Sequence, residues 1–351
     1  MQNRVLYSPA LLPLLLLCPL AALISCGGSS ASSSTPAPAN VYVAGISGGA
    51  PQYWSNGAST PLGSTGTAAA IAISGSDIYV AGYSAPTSEM SVATYWENGS
   101  AVTLSGTAPS LANGITVSQG NVYISGDVNS DSSYLATVWM NGAATQLMDG
   151  FLDGSNLPNL TDANSLYVSG ADVYVAGLVD KCILIATNTY YCGDVAVYWK
   201  NGNPTELVQL TNGGTESLAT SIFVSGADVY VTGNEFGISP SVPMLWKNGQ
   251  AITLPASLTA AQSVFVNGPD VYVAGACGEN ACYVLNGAVQ VLPNVSSSSS
   301  GVSQANQVIV SGSDVYVAGE TEGTPAYWAD GTLYSLSTST GNANGIVVIP
   351  D

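Results

Sequence analysis

Histidine is absent from all 351 residues, which removes the base that most serine and cysteine nucleophiles depend on. No serine stands in a strand–elbow–helix context either. Carboxylates and thiols are what remains. Asp149, Asp153, Asp162, Asp180 and Asp194 crowd one stretch of the chain. Two carboxyl groups about 5–9 Å apart can hydrolyse a glycosidic bond without histidine, but the spacing of these five along the chain fixes no such pair. Asp127-x-Asn129-x-Asp131 puts oxygen ligands on alternate residues, as the opening of a calcium loop does. Its sixth position is Ser132 instead of Gly, and its twelfth is Val138 instead of Glu. Ca²⁺ is the one cofactor the sequence suggests, with Asp149 and Asp153 as further donors from the neighbouring connection. Cys182 and Cys192 bracket one connection, and Cys277 and Cys282 another. Disulfides Cys182–Cys192 and Cys277–Cys282 are expected in an oxidising compartment.

These residues are held by a repeat. A Val-Tyr-Val-Ala-Gly-like strand recurs with its tyrosine at Tyr42, Tyr79, Tyr123, Tyr174, Tyr230, Tyr272 and Tyr316. After each comes a strand ending in an Asn-Gly turn, as at Asn56-Gly57 and Asn201-Gly202, with Asp330-Gly331 in the last copy. Asn-Gly and Asp-Gly supply the two positive φ values of a type I′ hairpin. A leucine lies five residues past each of those glycines, from Leu62 to Leu336. Before each tyrosine but the first, an Ile-x-Val-like strand leads into a Ser-Gly-x-Asp turn, so each repeat has four strands, A to D. Asp77, Asp172, Asp228, Asp270 and Asp314 recur in that A–B turn and read as turn formers. Trp54, Trp96, Trp139, Trp199, Trp246 and Trp328 share one slot in strand C, which Val284 takes in the sixth copy. Such periodicity points to packing between repeats, not to sugar stacking.

Repeats of about 40–50 residues built from short strands predict a β-propeller. The chain enters the repeat at strand B and ends on a strand A, Ile346-Val347-Val348-Ile349. The expected fold is therefore all-β, a seven-bladed propeller with four antiparallel strands per blade. The C-terminal strand would close the ring by joining the N-terminal blade. The A–B unit resembles the repeat of bacterial seven-bladed β-propeller families, and NHL-type repeats carry a similar inner pair. The resemblance spans residues 40–351 and implies the fold without an activity.

Strand direction puts the A–B and C–D turns on one face and the B–C and D–A connections on the other. Only the second set varies in length. The long ones, 127–134, 148–163, 178–194 and 209–219, cluster over the third and fourth blades and are expected to form a raised rim of loops. Strand A starts on that face with a polar residue: Asn113, Asn164, Thr220, Gln262, Asn306 and Asn344. These residues line a small-ligand funnel at the central channel or satisfy backbone groups at the strand start; the second role is favoured.

The first 25 residues read as a leader, with Arg4 before an apolar run broken by Pro13 and Pro19. Leu23-Ile24-Ser25-Cys26-Gly27 resembles a bacterial lipobox, which implies a diacylated Cys26 as membrane anchor. Residues 26–39 follow as a Ser- and Pro-containing tether. The resemblance places the chain in the cell envelope, more toward the outer membrane. Once Arg4 leaves with the leader, three lysines face 22 acids, a net charge of −19. Binding to nucleic acid needs cations the chain does not have. The expected protein is a lipid-anchored, monomeric, non-enzymatic module that meets the membrane through its anchor alone. It binds a protein or glycan through its variable face; a carboxylate-based glycan enzyme and a purely structural surface protein are the alternatives.

Overall fold

The computed structural model describes residues 40–350 except 88–89, 107, 131–132, 149–159, 187–188, 210–215, 237–239 and 296–300. Side chains at 130, 133, 182–186 and 189–192 are also outside the description. The leader, Cys26 and the tether therefore lie outside the described residues, as do Asp131, Asp149 and Asp153.

Seven sheets of four antiparallel strands make up the rest. The inner strand A of blades 1 to 7 is Gly341–Val348, Gly66–Ser74, Ser110–Ser118, Thr161–Ser169, Ser217–Ser225, Ala260–Asn267 and Gln304–Ser311. Blade 1 pairs the last strand of the chain with the first, Val41–Ser47, in the register Val41↔Val348 to Ser47↔Gly341. That pairing closes the ring, since no blade is left short of a strand.

The core lies between blades. Each indole packs on the strand-D leucine of the preceding blade, as Trp246 does on Leu207 and Trp328 on Leu292. All six tryptophans are at most 1% exposed. Each ring removes roughly 200 Å² from water, so blade-to-blade contact is the main apolar term. The indole N–H groups of Trp199, Trp246 and Trp328 donate to the carbonyl just past that leucine (Met148, Val208 and Pro293; 2.7–2.8 Å).

One face carries a repeated clasp. The first residue of each Asn-Gly or Asp-Gly turn has a φ of 46–53°, and its Oδ1 accepts the N–H that opens strand B, as Asn201 does from Val173 (2.9 Å). In blades 2 and 4 to 6 the same amide donates Nδ2 to the A–B turn aspartate: Asn98 to Asp77, Asn201 to Asp172, Asn248 to Asp228 and Asn286 to Asp270. In blade 3 Asn141 donates to Asn121 instead. Asp77, Asp172, Asp228 and Asp270 are turn residues tied into this clasp.

The opposite face departs from expectation in one respect. Two of the long connections are strands, not loops. Blade 4 extends Asp172–Ala186 against Thr189–Lys200, and blade 3 extends Asn121–Ser130 against Ser133–Met140. The ladder to the inner strand of blade 4 ends at Val179, with one more bond from the Asp180 N–H to the Leu160 carbonyl, and the two ribbon strands continue paired with each other beyond it. The physical reason is composition: Lys181-Cys182-Ile183-Leu184-Ile185 and Tyr190-Tyr191 are rich in β-formers.

Candidate functional site

A bulge positions the polar residues of strand A. In every blade the A–B ladder skips one residue: Asn344, Ala69, Asn113, Asn164, Thr220, Gln262 and Asn306 in blades 1 to 7. The bulge turns that side chain out of the ladder and toward the channel. It also presses a strand-A carbonyl onto strand B. A Cβ on Gly45, Gly82, Gly126, Gly177, Gly233, Gly275 or Gly319 would land on that oxygen, which is why the strand-B phrase ends in glycine. The residue before each bulge is always alanine, from Ala68 to Ala343, and is at most 1% exposed.

The skipped residues form a belt around the channel. Five of the seven donate to the pre-bulge alanine carbonyl of the next blade: Asn113 to Ala163, Asn164 to Ala219, Thr220 to Ala261, Asn306 to Ala343 and Asn344 to Ala68 (2.9–3.1 Å). These bonds satisfy the outward carbonyls of the inner strand, which has no further strand to pair with. Ala69 has no donor and leaves a gap in the belt. A second belt runs beneath, where Ser221, Ser263 and Gln307 accept N–H groups of Val264, Val308 and Ile346 (2.6–3.4 Å). Above, the hydroxyls of Ser110, Thr161 and Ser217 accept strand-C N–H groups of the preceding blade, a link that sequence reasoning missed. The skipped side chains still line the channel mouth, a cavity of ≈560 Å³ whose lining is uncharged.

The acids of the variable face draw together beside this mouth. Asp162 sits near the top of blade 4's inner strand, while Asp180 and Asp194 face each other across the ribbon. Burial pushes the Asp194 carboxyl up to about 6, helped by Glu216, Asp180 and Asp162. Burial also raises Asp162. Glu216, just ahead of blade 5's inner strand, is the member the sequence did not single out. Asp127 is different. It is 4% exposed, with Oδ1 accepting the Ala163 N–H and Oδ2 the Asn113 amide, both at 2.8 Å. Burial and then Asp162 push its carboxyl up to about 7, against those two bonds.

Of the calcium-loop residues only Asp127 and Asn129 are described, since Asp131, Asp149 and Asp153 lie outside the described residues. Asp127 and Asn129 are strand residues paired with Ala136 and Tyr134, and the Asp127 oxygens are engaged by the Ala163 N–H of blade 4 and the Asn113 amide of blade 3. Among the described residues no group of three or more acidic or thiol side chains is placed to hold a metal ion. Cys277 and Cys282 form the expected disulfide, with Cα atoms 5.8 Å apart. Cys182 and Cys192 are directly opposed in the ribbon's backbone register, but their side chains lie outside the description.

No protein-family model matches the chain. No curated protein matches it. Solved structures do match. The beta-propeller domain of the Trilobed protease from Pyrococcus furiosus is 9% identical, over 85% of this chain and 94% of that one, at a TM-score of 0.48. A GH43_12 protein retrieved from capybara gut metagenome is 13% identical, over 65% of this chain and 51% of that one, at 0.33. The sheet topology itself defines the class: a seven-bladed β-propeller closed by its C-terminal strand.

Proposed function

We propose that this protein is a non-enzymatic binding module of the bacterial cell envelope, held to the membrane by lipid on Cys26, and that it presents its variable face to a protein or glycan. The observation that carries the reading is the contrast between faces. One face repeats the same clasp from blade to blade. The other holds every connection that varies in length, including the extended two-stranded ribbon of blade 4. The channel mouth opens on that second face, with amide and hydroxyl groups that suit a glycan end. Interblade belts fix the scaffold beneath, so the binding residues are preorganised.

A second reading, carboxylate-based glycan cleavage, is favoured by one group. Asp194, raised to about 6 among other acids, is a fitting general acid near neutral pH. Affinity capture from envelope extract separates the two, using the protein beside a variant whose 182–192 segment is cut to Asn-Gly. The binding reading expects a partner kept by the parent and lost by the variant. Equal capture by both would move the site off the ribbon. Turnover of an envelope polysaccharide that stops in Asp194→Asn would favour the enzyme.

A further inference from the structure

Six of the seven slots between blades hold an indole, and the seventh does not. Between blades 5 and 6 the position of tryptophan is taken by Val284. The frame around it is unchanged in kind. Tyr230, Leu254 and Val273 stand where Tyr174, Leu207 and Val231 surround Trp246 one blade earlier. Leu258, from the connection after blade 5, joins the same cluster. Its N–H donates to the Pro255 carbonyl (3.0 Å), the group corresponding to the indole acceptors of other blades. A cavity of ≈180 Å³ is left, lined mainly by Tyr230, Leu245, Leu254, Val271, Val273 and Val284, with exposed Ile252 at its edge.

We propose that this slot is a binding site for a small uncharged aromatic molecule of one or two fused rings. The shape argues for a flat ring: the slot lies between two facing sheets, and six sister slots accept a planar indole. The size fits, because dry apolar cavities of about 150 Å³ take up benzene. The chemistry excludes charge. No titratable group other than the Tyr230 phenol lines the cavity, and Lys247 above that ring is committed to Asp228 at 2.7 Å. Water has little to hold it: the Asn286 side chain is already bonded to Val271 N–H and Asp270, and beyond it and the Tyr230 phenol Thr253 is the one other polar side chain in the lining. With Pro255 engaged, the ligand needs no N–H donor. This site lies between blades and stands apart from the variable-face reading, so either can fail without the other.

The test is a titration of the purified protein with indole, followed by methyl NMR. The proposal expects saturable shifts of the Leu254, Val273 and Val284 methyl groups. It also expects indole-3-acetate to bind about tenfold more weakly, near the Asp228 and Asp270 carboxylates. Val284→Trp should fill the slot, abolish indole binding and raise the melting temperature. Val284→Phe serves as a second blocking variant, in case the larger ring does not fold. The proposal is overturned if millimolar indole leaves those methyl groups unmoved, or if a folded blocking variant binds indole as the parent does.

Discussion

Asp127 shows what a single buried side chain sets. Its carboxylate accepts one N–H from blade 4's inner strand and one from the Asn113 amide, so it ties two blades together. Blade 5 does the same work with a neutral group: Asn234 accepts the Ala261 N–H (3.1 Å) and donates to the Ala261 carbonyl (3.0 Å). The acid costs stability near neutral pH. Its pKa is raised from 3.8 to about 7 in the folded state, so the folded protein holds a proton that the unfolded chain has released. The contribution of Asp127 is therefore fully present below pH 3.8 and is lost as pH rises through about 7. Asp127→Asn removes that dependence. Thermal melts should place the variant above the parent at pH 8, with the difference shrinking toward pH 5. A gap that widens on acidification would contradict the assignment.

Strand B and its bulged neighbour explain the element scale. The phrase ending in glycine was legible in the sequence, but the reason for the glycine was not. Nothing local announces that a carbonyl from the neighbouring inner strand will sit where Cβ would be. The invariant alanine before each bulge was the trace of it, and only the side-chain period around the channel gives that alanine meaning. Gly177→Ala should cost about 3 kcal/mol or more, because backbone blocks the new Cβ on one side and the Trp199 ring stands on the other. Chemical denaturation of the variant beside the parent measures it; a loss under about 1 kcal/mol would show that the bulge can relax. The ribbon is a related case: length variation marks 178–194 as a connection, whereas its β-branched and aromatic content makes it a pair of strands.

At the scale of the molecule, the offset between where the repeat begins and where it ends was enough to foretell ring closure, and Val41↔Val348 pairing bears it out. Blade number, hairpin register and tryptophan packing were legible for the same reason: each recurs, and recurrence separates structural residues from the rest. The site was less legible. Acids on different strands converge only once the ring is formed, so Glu216 joined Asp162, Asp180 and Asp194 without any motif linking them. The belt residues were readable as polar, and the structure gives most of them the backbone-satisfying role while leaving them at the channel mouth. A rigid ring with one uniform and one varied face is the basis for reading this molecule as a binding module.

Hydrogen exchange of the protein with and without its captured partner tests that claim most directly. Protection should fall on the variable face, at the 178–194 ribbon, the 209–219 connection and the starts of strand A. The Asn-Gly turns of the other face should exchange at unchanged rates. Protection centred on those turns, with the ribbon unaffected, would contradict the account.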